Sequence, residues 1–151
     1  MKTTSDTNQD GVIQIERTIS ASPREIFVAF EQSDKLARWW GPAGFTNTFE
    51  LCEFKTGGSW IYVMHGPNGQ DYPNECVFSK IEPDTKIVIE HVVLPYYMLT
   101  LTLTESVHGT HLTWRQEFQN SAFVASMRDF LENANNENLD RLEAVLAESA
   151  E

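Results

Sequence analysis

Hydrophobic and polar positions change their period three times along this chain. Ile13-Gln14-Ile15-Glu16-Arg17-Thr18-Ile19 alternates, the pattern of a strand with one buried face. From Pro23 onward, Ile26, Phe27, Ala29 and Phe30 gather on or near one helical face. Ser22 stands where an N-cap is needed, Pro23 suits the first helical position, and Glu25 brings negative charge to the first turn. Turn residues then punctuate the chain at Lys55-Thr56-Gly57-Gly58, Gly66-Pro67-Asn68-Gly69, Glu82-Pro83-Asp84 and Val107-His108-Gly109. Between them, segments 45–54, 59–65, 72–82, 85–93, 98–105 and 110–118 carry strand patterning, clearest in Thr100-Leu101-Thr102-Leu103-Thr104. Asn120 or Ser121 can cap a final helix, in which Val124, Met127, Leu131, Ala134, Leu142 and Val145 recur at helical spacing. The order predicts an α+β fold: a seven-stranded antiparallel sheet, one or two short helices after the first strand, and a long C-terminal helix. Short turns make the strands a meander, and the helix must lay its apolar stripe across one face of it.

Composition narrows the class. A chain of 151 residues suits one domain, expected over 11–151 behind a polar, disordered tail at 1–10. That polar start lacks the apolar segment of a secretory signal, and no apolar run approaches a membrane span, so a cytoplasmic location is expected. The formal charge of -11 argues against binding nucleic acid or an anionic membrane, since both require a basic face. From Ser121 on, seven acidic residues stand against two basic ones, which reads as a solvated helix face. Cys52 and Cys76 have no Cys-x-x-Cys spacing and read as strand thiols of a reduced protein. His108-x-x-His111 straddles a turn and makes a poor metal pair, while His65 lies beside another turn. No nucleophile elbow, Ser-His-Asp setting or phosphate-cradling loop is present, so neither cofactor nor metal is expected, and no catalytic residue is assigned.

Several motifs fall in a telling order. Ile15 to Phe30 gives strand, small-residue turn and capped helix. Trp39-Trp40-Gly41-Pro42 comes next, then Phe54 with Gly57-Gly58, Met64, the Gly66-Pro67-Asn68-Gly69 turn and Asn74. Ile81 with Pro83 and Gly109-Thr110-His111-Leu112-Thr113 complete the series. From about Val12 to its end the chain thereby resembles the START-like superfamily, which includes polyketide cyclase-like and birch-pollen-allergen-like proteins. Within it, the resemblance is to the family named after the activator of the heat-shock-90 ATPase. The resemblance implies a helix-grip fold, in which a curved sheet wraps the C-terminal helix. It departs in one place: where members usually carry a Gly-Trp pair, this chain has Ala134-Asn135-Asn136 before Leu139 and Leu142. Helical rows put Asn135 in line with Leu131 and Leu142, and Asn138 in line with Leu142. These asparagines either flank the stripe in solvent or lend polar groups to the interior.

START-like folds commonly hold apolar ligands between sheet and helix. Alternation places Trp60, Tyr62 and Met64 on one face, taken as the inner one, with Ser59, Ile61 and Val63 on the other. The same rule turns Ile87, Ile89 and His91 inward, as well as Leu101, Leu103, Leu112, Trp114 and Gln116. Met127 and Leu131 would close the space from the helix, with Asn135 and Asn138 further along. Core packing accounts for most of these positions; Tyr62, His91 and Gln116 would each need a partner if buried. The resemblance thus implies a non-enzymatic protein binding a small apolar or amphipathic molecule, as a monomer or homodimer. The family's name also implies co-chaperone work in a stress response, although 151 residues leave no room for a separate chaperone-binding domain. Two alternatives use other residues. A protein-partner module would dock through Trp39 and Trp40, if exposed, or through the acidic final helix; otherwise one of the two rings packs under the sheet edge and the other is partly wet. A cyclase- or hydratase-like enzyme would use Tyr62, His91 or Glu75 as acid or base.

Overall fold

The computed structural model describes residues 10–149, so the expected tail at 1–10 lies outside the described residues except for Asp10. Strand β1 spans Val12–Ile19, and two short helices come after it, α1 over Pro23–Glu31 and α2 over Ser33–Trp39. Six strands come next: β2 (Thr46–Cys52), β3 (Gly58–His65), β4 (Asp71–Glu82), β5 (Lys86–His91), β6 (Tyr97–Ser106) and β7 (Gly109–Phe118). Helix α3 closes the chain over Ser121–Ser149. The seven strands form one curved antiparallel sheet in the order β1-β7-β6-β5-β4-β3-β2, the helix-grip arrangement. β1 and β2 lie at opposite edges, so α1 and α2 must carry the chain across the whole concave face.

Local chemistry explains that crossing. The Ser22 hydroxyl accepts from the Glu25 backbone N–H at 3.1 Å, and the Glu25 carboxylate accepts from the Ser22 N–H at 2.8 Å. This reciprocal box starts α1 with both end groups satisfied. Ile26, Phe27, Ala29 and Phe30 then face inward, all buried. Asn120 caps α3, accepting from the Phe123 N–H at 3.2 Å.

α3 meets the sheet as two unequal halves. Its last turns bury Leu139, Leu142, Val145 and Leu146 in the main core. Its first turns join a separate small cluster, where Val124 packs with Ile13 and Phe118. Along the second half Arg17 of β1 ties the helix down, donating to Asn136 Oδ1 at 2.8 Å, Asp140 at 2.8 Å and Glu143 at 2.9 Å. Those partners lie four and three residues apart, on one helical face.

The main core is aromatic. Trp60 stacks on Tyr62 at 4.3 Å between ring centroids and on Phe78 at 5.5 Å. Trp40 meets Trp60 edge-on at 5.0 Å and lies 5.9 Å from Trp114. Buried rings of this size each contribute about 1.5–3 kcal/mol through area removed from water. Trp39 is fully buried, and its indole N–H donates to the Ala29 carbonyl at 3.0 Å. Trp40 is 4% exposed, and its N–H donates to the Tyr62 hydroxyl at 3.1 Å. The expected docking patch at Trp39 and Trp40 is therefore corrected: neither ring is wet, because α2 ends inside the grip and sends both indoles into the core.

Candidate functional site

The turn after α2 builds one wall of a cavity between sheet and helix. Gly41 sits at φ +98°, a conformation that side-chained residues rarely adopt. A Cβ there would also approach the Met64 terminal methyl to 2.7 Å. The carbonyls at the end of α2, which the helix itself cannot satisfy, are taken up by side chains from elsewhere. Asn47 of β2 donates to Ala37 and Trp40, and Asn138 of α3 donates to Trp39 at 2.8 Å. Arg141 donates to the carbonyls of Arg38, Trp40, Gly41 and Pro42, all within 3.1 Å. A cation at a helix C-terminus also meets the negative end of the dipole.

This anchoring leaves a cavity of about 110 Å³. The strands contribute Tyr62, Met64, Asn74, Tyr97, Trp114 and Gln116, and the helix faces them with Ala134, Asn135 and Asn138. Asn135 donates to Gln116 Oε1 at 2.8 Å, so both asparagines lend polar groups to the interior, and Asn138 is only 5% exposed. Burial pushes the Tyr62 and Tyr97 hydroxyls well above the ordinary tyrosine value, so both stay protonated. The buried indole N–H of Trp114 has no hydrogen-bond partner among the described residues. The same is true of the Trp60 indole N–H, but Trp60 does not line the cavity.

The remaining candidate residues are placed elsewhere. Trp60, Ile89 and Leu101 are packed in the main core with no surface on the cavity. Leu131 packs against the small cluster around Ile13 and Val124, and Met127 lies one turn before it, so neither closes the cavity. Helical periodicity identified their face, but the helix passes the cavity only from Ala134 onward. His91 is buried but lies beside the cavity rather than on it. Its Nδ1 is 2.7 Å from the Pro95 carbonyl oxygen, its Nε2 is 2.6 Å from Asn74 Oδ1, and its ring stacks on Tyr97 at 4.6 Å. Burial holds its pKa below the ordinary value, partly offset by the Pro95 and Val93 carbonyls.

Among the cavity residues that were not anticipated are Asn74 and Tyr97. Counting back by twos from Cys76 and Leu99 would have found both. Tyr97 also lines an open groove of about 580 Å³ with His91, Val92, Tyr96 and Met98.

The expected acid–base trio is not assembled. Glu75 is exposed on the opposite face of β4 from Asn74 and Cys76, and the Tyr62 hydroxyl is engaged by Trp40. Burial pushes the Cys76 thiol up to about 12 and Cys52 up to about 11, which keeps both protonated near neutral pH. A linear contact does exist on the solvent face: Asp71 to His65 Nδ1 at 2.7 Å, and His65 Nε2 to the Thr48 hydroxyl at 2.7 Å. Asp71 is 64% exposed there, and bulk water competes for every member. His111 pairs with Glu16, and no cluster of His, Cys, Asp or Glu among the described residues could hold a metal ion. No described helix is long and apolar enough to cross a membrane.

Comparison with solved structures returns the same architecture. A protein from Arthrobacter aurescens, 25% identical, superposes with a TM-score of 0.83, covering 92% of this chain and 87% of its own. A protein from Chromobacterium violaceum, 22% identical, gives 0.79 over 89% of this chain and 96% of its own. The AHSA1-like protein from Aeromonas hydrophila, 17% identical, gives 0.73 over 88% and 92%. No curated protein matches. The family model for the Activator of Hsp90 ATPase homolog 1-like protein matches residues 20–147. The chain therefore belongs to the Activator of Hsp90 ATPase homolog 1-like family.

Proposed function

We propose that this protein is a non-enzymatic carrier or sensor of a small molecule, held in the cavity between the sheet and α3. The observation that carries the reading is a cavity between the sheet and α3 that sets the apolar Met64, Leu99 and Ala134 beside the polar side chains of Tyr97, Gln116 and Asn135. Polar groups of this kind are nearly always satisfied, so those lining such a space call for water or a ligand as partner. An enzymatic role receives less support, since Tyr62, His91 and Glu75 do not converge. A protein-docking role would have to use a surface other than Trp39 and Trp40. We also read the protein as cytoplasmic, because its two free cysteines suit a reducing compartment.

At about 110 Å³ the cavity matches roughly four water volumes of about 30 Å³ each, which restricts the occupant to fragment size. A thermal-shift screen with small fragments, repeated on Ala134→Phe, tests the proposal. Cavity binders should raise the melting temperature of the natural protein as their concentration rises, and lose this effect when the phenylalanine fills the space. Silence across the screen, or equal shifts in both proteins, would overturn it.

A further inference from the structure

The cavity's unused hydrogen-bonding groups point to a ligand class, an inference that rests on the proposed binding role and deepens it. We infer that the ligand is uncharged and presents a hydrogen-bond acceptor beside a donor, as a carboxamide, lactam or urea does, on a short apolar body.

Charge is excluded first. No acidic or basic side chain lines the cavity. The nearest built-in cation, Arg141, holds the end of α2 through four backbone carbonyls. A buried anion would find no charged side chain on the lining and only a guanidinium already engaged behind it, and the chain's formal charge of -11 disfavours its approach. A cation would find no carboxylate.

A plain hydrocarbon is excluded next. The two facing amides are joined by a single bond, Asn135 Nδ2 to Gln116 Oε1 at 2.8 Å. That leaves the Gln116 amide N–H groups and the Asn135 oxygen without partners among the described residues. The Tyr97 hydroxyl, on the same cavity lining, has none either. An apolar ligand would expel water from all of these and return no hydrogen bond. An amide offers its oxygen to a donor and its N–H to the Asn135 oxygen, while its alkyl part meets Met64, Leu99 and Ala134. Recognition pockets combine a mostly apolar lining with a few placed polar groups in this way.

The test compares three probes of similar size on the intact chain: pentanamide, pentanoate at neutral pH, and hexane. Nitrogen-15 NMR tracks the Trp114 indole N–H and the side-chain amides of Asn135 and Gln116. Pentanamide is expected to shift all three saturably and to bind about tenfold or more tighter than the other two. Asn135→Leu, checked for folding by its NMR dispersion, is expected to abolish that preference. If hexane or pentanoate binds as tightly as pentanamide, or if Asn135→Leu keeps the preference, the ligand class is wrong while the cavity reading stands. If none of the three moves a cavity resonance, the class is equally overturned. The binding role itself then falls only if the wider fragment screen on the natural protein and Ala134→Phe is also silent.

Discussion

Tyr62 and His91 show how single buried side chains set the terms of this interior. The Tyr62 hydroxyl is the acceptor for the Trp40 indole, so Tyr62→Phe strands a buried N–H as well as deleting a bond. Such a loss should cost about 1–3 kcal/mol, read as a lower denaturation midpoint with an unchanged denaturant slope. His91 contributes a pH dependence. Its folded pKa is depressed by burial, so between its ordinary value near 6.5 and the lower folded value the unfolded chain binds more protons. Stability from this residue is therefore complete above about pH 6.5 and is lost as pH falls through that window. His91→Gln should flatten the stability–pH curve there, measured by urea titrations at several pH values. Periodicity turned Tyr62, Trp114 and Gln116 inward correctly. It could not distinguish a residue beside empty space from one pressed against neighbours, which is why Trp60 and Ile89 proved to be packing.

Elements meet through helix ends as much as through apolar stripes. The C-terminus of α2 is held by Asn47 from the sheet edge and by Asn138 and Arg141 from α3. Arg141→Met keeps much of the side chain's bulk but removes four hydrogen bonds beside the cavity wall, leaving the Arg38 and Gly41 carbonyls without a side-chain donor. We expect a loss of about 1.5–3 kcal/mol, typical for hydrogen bonds to a charged group, with faster amide exchange across residues 41–45. None of this was visible in the sequence, because Arg141 and the end of α2 are about a hundred residues apart. Asn138 was legible only as a polar residue in an apolar row. Met127 and Leu131 failed for a related reason: a helical stripe gives a direction around the axis, not the point along it where another element begins.

The whole molecule was the most legible level. Alternating strands, turn glycines and one long apolar-striped helix leave few ways to fold, and the family's motifs fall on the turns that link them. Sheet order makes the edges unequal to the middle: β2 pairs with β3 alone, while β6 lies between β5 and β7. Hydrogen exchange should therefore release β2 amides well before those of β6, since an edge strand opens without breaking a second ladder.

All four tryptophans belong to this buried interior, and Trp40 lies within 6 Å of each of the other three by ring centroid. The protein consequently carries an intrinsic optical reporter. Coupled indoles in a fixed, chiral arrangement should give a strong near-ultraviolet circular dichroism signal and a short-wavelength emission. Both would disappear if side-chain packing loosened while the helices and strands persisted. Because Trp40 and Trp114 also line the cavity, an occupant would perturb the emission of the cluster as a unit, and its arrival could be monitored without a label.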